Sequence, residues 1–294
     1  MLNYLSFNTE SLFVCIDKYE EFTFNYLGWK VSDNYIYNKN SPSHSQYTIM
    51  ITSPYIANLE ELNNSSLLGK KIASIITELI PISGLPSLNS PKFKSFSNNL
   101  EIVDYKSAPY GWKTDFNEIQ SKLYGEKSNK LTLNCTLEGF CHPAKLEKSP
   151  LFDIQQMLEH YDDAEEHIKF LLFLNNSIET ANDINVYMLI GKALEIVFAI
   201  GAYSEQKWNN KRPIKSYFPE LSEVLQDVTF GNLFEMTNFR KESRHYVDNK
   251  KKYCKPHESL SNEEKIKLYR CSINLIINVI RHSFGLPYKS VNFK

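Results

Sequence analysis

The sequence predicts an α+β N-terminal domain of residues 1–146 followed by an all-α helical bundle of residues 147–294. Up to residue 146, most apolar residues occur in short β-prone runs bounded by turn residues, which is the pattern of strands. Beyond it, apolar residues recur at spacings of three and four over long segments, which is the pattern of helices. A chain of 294 residues with 42% apolar content is large enough to bury two cores.

The N-terminal domain is predicted to contain a mixed or antiparallel sheet with one helix packed on it. The six β-prone runs are residues 12–16, 22–26, 35–37, 47–52, 100–103 and 131–137. The helix covers residues 67–80, where apolar residues recur at helical spacing until Pro81 ends the pattern. After it, residues 83–99 are rich in Ser, Pro and Asn and are predicted to form a long loop.

Five helices, one of them short, are predicted for the C-terminal bundle. Their ranges are 149–174, 183–203, 220–228, 232–246 and 262–282. The first has Pro150 at its first helical position, and the last begins with a capping box formed by Ser261 and Glu264. Apolar residues cover most of the circumference of helix 183–203, so we expect it to be the central and most buried helix.

Composition and charge argue against several classes of protein. The formal net charge is -1, so attraction to nucleic acid has to come from a local patch. Neither G-x-x-x-x-G-K-[ST] nor G-x-G-x-x-G occurs, which argues against the common nucleotide-binding enzymes. Five scattered cysteines, an odd number, argue against a disulfide framework and favour a reducing cytosol. No basic residue precedes Lys18, unlike in a signal peptide, and Lys192 and Glu195 interrupt the most apolar segment, so we expect a cytoplasmic protein without a membrane span.

The predicted helix 232–246 carries the residues that suggest a function. Arg240 and His245 lie in it with four residues between them. Metal-free RNA cleavage needs a base for the ribose 2'-hydroxyl, a cation for the phosphate and an acid for the leaving 5'-oxygen. Histidine can serve as base or acid near neutral pH, and the planar guanidinium of arginine matches phosphate oxygens. Because positions five apart on a helix point about 140° away from each other, we expect two copies of the pair to face each other across a homodimer.

Positive charge is concentrated around this pair. Between Phe239 and His257 the chain has seven Lys and Arg residues against two acids, namely Arg240, Lys241, Arg244, Lys250, Lys251, Lys252 and Lys255 against Glu242 and Asp248. Such a local excess of positive charge suits the phosphate backbone of a nucleic acid. We therefore expect this segment to bind RNA, with contacts from Arg244, Lys250, Lys251 and Lys252.

The motif and its setting resemble a known family. Residues 238–245, NFRKESRH, in a helical bundle that ends in VIRHSFGLPY, resemble the HEPN domains of bacterial ApeA-like antiphage defence proteins. The resemblance covers roughly residues 150–287. It implies a metal-independent endoribonuclease that acts as a homodimer without a cofactor or a bound metal. Arg240 and His245 match the catalytic positions of the family.

Two further residues are assigned by the same resemblance. Asn238 is expected to support the pair, and Lys241 occupies the polar position beside the arginine. Family members often have asparagine, aspartate or histidine there, so Lys241 is a departure from the pattern. The resemblance also implies a role in antiviral defence by abortive infection, with RNA such as tRNA as substrate. The N-terminal domain is then a sensor or regulatory domain with an unidentified trigger.

Two other functions compete with this interpretation. HEPN-like bundles can also act without catalysis, as modules that bind nucleotides, RNA or a protein partner. A metal-dependent hydrolase is the third hypothesis, because His160 and His167 are seven residues apart on the predicted helix 149–174 and Asp163 lies between them. One helix supplies few metal ligands, so a solvated polar face is the stronger interpretation of these residues.

Overall fold

The computed structural model describes residues 4–42, 45–85, 112–114, 144–180, 183–205, 208–221, 228–237 and 262–289. The chain divides into two compact units, Met1–Asp162 and Asp163–Lys294. We call them the sheet unit and the helical unit. The chain is therefore an α+β protein with its strands first. The division falls later than the predicted boundary at residue 146, because the helix Leu151–Glu159 packs within the sheet unit.

The described strands all belong to the sheet unit. They are β1 (Ser6–Thr9), β2 (Leu12–Ile16), β3 (Thr23–Tyr26), β4 (Trp29–Ile36), β5 (Gln46–Thr52), β6 (Trp112–Thr114) and β7 (Ala144–Leu146). The sheet order is β3-β4-β5-β1-β6, and β2 pairs with β5 and with β7. Every described pairing is antiparallel except that of β2 with β7. The prediction of an α+β domain with a mixed or antiparallel sheet is thus confirmed.

The predicted strands have mixed outcomes. Run 12–16 forms β2 at the predicted bounds, and runs 22–26 and 47–52 form β3 and β5 within one residue at their starts. Run 35–37 is the end of the longer β4. Sequence reasoning missed β1, where Phe7 is the single strongly apolar residue. Runs 100–103 and 131–137, and most of the predicted loop 83–99, lie outside the described residues.

Helix α1 (Leu59–Leu79) lies on the sheet and begins earlier than predicted. The Asn58 side chain accepts a hydrogen bond from the Glu61 N–H at 2.9 Å, and the Glu61 carboxylate accepts one from the Ala57 N–H at 2.8 Å. This reciprocal capping starts the helix before the polar residues 63–66, which have the composition of a loop.

Gly69 sets the distance between α1 and the sheet. A Cβ atom at this position would lie 2.4 Å from Phe7 Cε2 and 2.5 Å from Trp29 Cη2. Phe7 and Trp29 are both buried, so neither ring can move into solvent without opening the core. The absence of a side chain at residue 69 is therefore what allows the helix to approach β1 and β4.

The predicted helix 149–174 is two helices. The first, α2 (Leu151–Glu159), packs on α1 and β3, and the second, α3 (Glu166–Thr180), belongs to the helical unit. Between Leu158 and Ile168 the sequence is largely charged and offers no apolar stripe that would hold a continuous helix against a core. The single-helix prediction is therefore wrong.

The helical unit consists of α3, α4 (Asp183–Glu205), α5 (Phe230–Thr237) and α6 (Asn262–Ser283) over its described residues. Helix α6 contacts α3, α4 and α5. Every residue from 272 to 281 in α6 is buried, whereas α4 has exposed residues along its length, including Lys192. The expectation that helix 183–203 is the most buried is wrong, because α6 has the longer continuous run of buried residues. Helix α4 is nevertheless central, since it also contacts α3, α5 and α6.

Helix α4 contains one segment that is long and apolar enough to span a bilayer, Val186–Glu205, with a mean hydropathy of 1.6. Of that segment 44% is buried within the protein, and core helices of soluble proteins meet the same criteria of length and hydropathy. The segment by itself therefore does not place the protein in a membrane.

Candidate functional site

The predicted site residues lie outside the described part of the chain. They are Arg240, His245, Asn238, Lys241, Arg244, Lys250, Lys251 and Lys252. Their assignment stays a prediction. The structure does describe the helix before this segment, α5, and the helix after it, α6. These two helices are the described elements that precede and follow the segment along the chain.

Helix α5 starts with a closed capping box. The Thr229 hydroxyl accepts a hydrogen bond from the Asn232 N–H at 3.1 Å, and the Asn232 side-chain oxygen accepts from the Thr229 N–H at 3.1 Å and its hydroxyl at 2.7 Å. The Gly231 N–H also donates to the Asn210 carbonyl at 2.7 Å. The first turn therefore has its free N–H groups satisfied, which fixes the direction in which the helix leaves.

An aromatic cluster holds α5 against α4. The Phe198 ring lies 5.0 Å from the Phe230 ring, 5.7 Å from Tyr217 and 6.1 Å from Phe234, measured between centroids. Phe230 is fully buried and Phe234 is 5% exposed. Large buried aromatic side chains supply much of the packing energy of a small core. The last described turn of α5 is thus firmly placed one residue before Asn238.

On the other side of the segment, α6 is fixed by its own C-terminal extension. The Asn278 side chain donates to the Lys289 carbonyl at 2.9 Å and accepts from the Lys289 N–H at 2.7 Å. The buried Arg281 Nε donates to the Pro287 carbonyl at 2.9 Å. Residues 284–289 are therefore held along α6 by side chains of that helix.

The two histidines of the metal hypothesis do not lie on one helix. His160 follows α2 in the sheet unit, and His167 lies in α3 of the helical unit. His167 Nδ1 lies 3.2 Å from Glu165 Oε2 at a half-exposed position. Among the described residues, no group of three or more His, Cys, Asp or Glu side chains could hold a metal ion. The helical face that the hypothesis required does not exist.

The sheet unit contains a buried polar cluster that sequence reasoning missed. Asp33 Oδ1 accepts hydrogen bonds from the Tyr19 hydroxyl at 3.1 Å and the Phe22 N–H at 3.0 Å. Asp33 Oδ2 accepts from the Tyr47 hydroxyl at 2.8 Å and from the Ser149 hydroxyl. Asp33, Tyr47 and Ser149 are each at most 5% exposed. The available signal was an aspartate in the middle of a segment with β-prone residues, between Val31 and Tyr35.

This cluster is closed to a substrate. Burial raises the pKa of Tyr47 well above its ordinary value, and the neighbouring Asp33 carboxylate raises it further. The pKa of Tyr19 is raised by the same two causes. Both phenols therefore stay protonated near neutral pH and act as donors, and each carboxylate oxygen already has two donors. The arrangement stabilises the fold of the sheet unit and leaves no position for chemistry.

Glu78 is a half-buried acid of the sheet unit whose pKa is raised. Burial raises the pKa of its carboxyl, and the hydrogen bond from the Tyr161 hydroxyl to Oε2, 2.8 Å long, partly lowers it. Burial also raises the pKa of Tyr161, as does its bond to Glu78. The pair ties the last turns of α1 to the segment after α2. Its two groups already bond to each other, so we assign it a structural role.

Comparison of the chain with known protein families, with curated proteins and with solved structures finds no match.

Proposed function

We propose that this protein is a metal-independent endoribonuclease of the HEPN type, with Arg240 and His245 as its catalytic residues. The observation that carries the proposal is the R-x4-H string of residues 240–245. Support comes from its neighbours along the chain, because the string lies between α5 and α6, which pack against each other and against α4. The resemblance to HEPN domains requires a motif with packed helices before and after it in the chain, and α5 and α6 are such helices.

The proposed chemistry is cleavage by the substrate's own 2'-hydroxyl. His245 removes the proton from this hydroxyl or delivers one to the leaving 5'-oxygen, and Arg240 balances the charge that develops on the phosphate. The 2'-oxygen forms a bond to phosphorus as the bond to the 5'-oxygen breaks. The products are a 2',3'-cyclic phosphate and a 5'-hydroxyl. In a homodimer, one copy's histidine can serve as base and the other's as acid.

The wider role follows from the same resemblance. We propose that the enzyme acts in the cytoplasm during antiviral defence by abortive infection, on RNA such as tRNA. The sheet unit would sense the trigger and restrain cleavage to a low basal rate until infection. Such restraint is needed because an unregulated endoribonuclease would degrade the RNA of its own cell.

The test is incubation of the purified full-length protein with total RNA and with tRNA in excess EDTA. We expect fragments with cyclic-phosphate or 3'-phosphate ends from the unaltered protein and none from His245→Ala. Arg240→Ala is expected to reduce both cleavage and RNA affinity, because one phosphate contact is lost. Fragments that persist at the same rate in His245→Ala would move the site elsewhere.

Matched variants in the same unit control for loss of fold. His167→Ala removes a half-exposed histidine of α3, and Arg270→Ala removes an exposed arginine of α6. Both should cleave like the unaltered protein, since exposed polar truncations cost little stability. Cleavage that EDTA abolishes would instead support a metal-dependent hydrolase.

A non-catalytic binding module is the second candidate, and Lys241 is the residue that favours it. The family often has a shorter polar residue at this position, and a lysine can bind phosphate without positioning the reacting groups. This candidate predicts RNA or nucleotide binding without turnover and unchanged function in His245→Ala. Lys241→Asn separates the two candidates, because it should increase cleavage by an enzyme and weaken binding by a module.

A further inference from the structure

Two large aromatic side chains are exposed where α4 ends. Tyr203 is 75% exposed and Trp208 is 61% exposed. The Trp208 ring meets the Tyr203 ring edge-on, with centroids 5.2 Å apart, and meets the buried Phe198 ring in the same way at 5.9 Å. The indole is therefore held by the core on one side while most of its surface is open to solvent.

The backbone that follows Trp208 is fixed in a tight turn. The Asn209 carbonyl accepts hydrogen bonds from the Tyr217 hydroxyl and from the Arg212 N–H, the latter at 3.1 Å. The Asn209 side chain accepts from the Lys211 N–H at 3.1 Å. Lys211 and Arg212 follow Trp208 closely in the sequence, and these bonds fix the backbone that carries them.

Both cations are available to a ligand. Lys211 and Arg212 are exposed, and their side chains form no ion pair with any described residue. The stretch 206–219 contains four cations and no acid, the cations being Lys207, Lys211, Arg212 and Lys215. The stretch lies between Glu205 and Glu220, so its excess of positive charge is local.

We propose that Tyr203, Trp208, Lys211 and Arg212 form a binding surface for single-stranded RNA, which we call the aromatic–basic surface. Exposed aromatic rings stack on unpaired bases, and neighbouring cations bind the phosphates between them. A duplex keeps its bases stacked inside and cannot use the rings in this way. The choice of RNA as the nucleic acid rests on the proposed ribonuclease function, whereas the exposed rings and the exposed cations are features of the structure.

The aromatic–basic surface borders the helix that leads to the predicted catalytic segment. The Asn210 carbonyl accepts from the Gly231 N–H in the first turn of α5. Helix α5 has eight residues. At 1.5 Å per residue, such a helix spans about 12 Å. An RNA strand bound at this surface therefore lies within about the length of α5 of the point where the chain continues to Asn238.

The test measures binding apart from cleavage. Full-length protein carrying His245→Ala is titrated against a fluorescently labelled oligouridylate in EDTA, and anisotropy reports the affinity. Adding Trp208→Ala is expected to weaken binding by about 5- to 150-fold, the loss expected for one stacked base. Trp208→Phe should restore most of the affinity, because it keeps an aromatic face. Phe173→Ala, at a 55% exposed position of α3, is the matched control and should bind normally.

The charged half of the surface is tested through salt dependence. Replacing Lys211 and Arg212 by glutamine should lower the slope of log affinity against log salt by about 1.4, or roughly 0.7 for each lost phosphate contact to a single strand. Lys192→Gln with Arg270→Gln removes two exposed cations elsewhere in the helical unit and should leave the slope unchanged.

The outcomes separate this inference from the proposed nuclease. Binding that depends on Trp208, in a protein that never cleaves RNA, would retain the surface and overturn the ribonuclease. Cleavage that depends on His245, with RNA affinity unchanged in Trp208→Ala, would support the ribonuclease and overturn the aromatic–basic surface. Equal affinity for a duplex of the same length, or no binding of the oligouridylate at low salt, would also overturn the aromatic–basic surface.

Discussion

The Asp33 cluster of the sheet unit and the buried Ser and Asn side chains of the helical unit differ in the sequence distance that their hydrogen bonds span. Tyr47 and Ser149 bond to Asp33 across 14 and 116 positions of sequence. In the helical unit, the fully buried Ser272 donates at 2.8 Å to the Leu268 carbonyl, four residues earlier in the same helix. Asn176, Asn274 and Asn278 each donate to the carbonyl four residues before them in the same way.

The difference separates two sources of specificity. A bond between distant elements forms only when those elements have taken their final places, so the Asp33 cluster helps to specify the arrangement of the sheet unit. A bond back to the preceding helical turn forms whenever the helix forms, and carries no information about which helices pack together. In the helical unit that information comes from apolar and aromatic contacts such as those of Phe198 and Phe230.

Breaking the long-range cluster should have the largest effect. Asp33→Ala leaves the buried hydroxyls of Tyr47 and Ser149 without their acceptor, and we expect the free energy of unfolding of the sheet unit to fall by roughly 2–5 kcal/mol. The measurement is urea unfolding, with hydrogen exchange to assign the loss to β4 and β5. Asp17→Ala removes an exposed acid of the same unit and should change stability by less than about 0.5 kcal/mol. Equal effects of the two substitutions would contradict the role given to Asp33.

An intermediate effect is expected at Asn278, which makes both kinds of bond. Its side chain donates within α6 and also binds the N–H and the carbonyl of Lys289. Asn278→Ala should lower the free energy of unfolding by about 1–2 kcal/mol, because the hydrogen bonds to the half-buried Lys289 are lost. Hydrogen exchange at residues 286–289 should quicken more than exchange within α6. Unchanged protection of those amides would contradict the conclusion that Asn278 holds residues 284–289 along α6.

The smallest effect is expected at Ser272, although this residue is as deeply buried as Tyr47. Ser272→Ala removes a hydroxyl whose single partner is a carbonyl of its own helix, and alanine favours the helix slightly more than serine. We expect a change of no more than about 0.5 kcal/mol in the free energy of unfolding, measured by the same urea titration. A loss comparable to that of Asp33→Ala would show that burial alone, rather than the reach of the hydrogen bond, sets the cost.

Much of the secondary structure follows from the sequence, and the errors have identifiable causes. Helix α6 begins at the predicted residue and ends one residue later. The early start of α1 was hidden by the polar residues 63–66, although Asn58 and Glu61 have the spacing of a capping box. The burial of α6 could not be predicted from hydropathy, because its buried polar residues bond either to the preceding turn or, as Asn278 and Arg281 do, to the residues that follow the helix. A count of apolar positions therefore favoured α4.

The structure tests fewer of the predicted functional residues than of the predicted helices and strands. The string around Arg240 and His245 is a pattern of sequence, and it lies outside the described residues. The metal hypothesis failed because a continuous helix was assumed between Leu158 and Ile168. The aromatic–basic surface was visible in the sequence only as a basic stretch. That Trp208 is exposed and held in place depends on its contact with Phe198, which no local pattern encodes.

The donor that completes the Asp33 cluster also sets an order of events during synthesis. Strands β1 to β5 are complete once residue 52 has been made, but the Ser149 hydroxyl follows Asp33 by 116 residues. Strand β7, which pairs with β2, is likewise made only at Ala144–Leu146. The sheet unit therefore cannot reach its final structure until nearly all of it has left the ribosome, and its folding should be slow for its size. In the helical unit, α3 can pack on α4, and α4 on α5, as they are translated, and α6 then adds its contacts with all three.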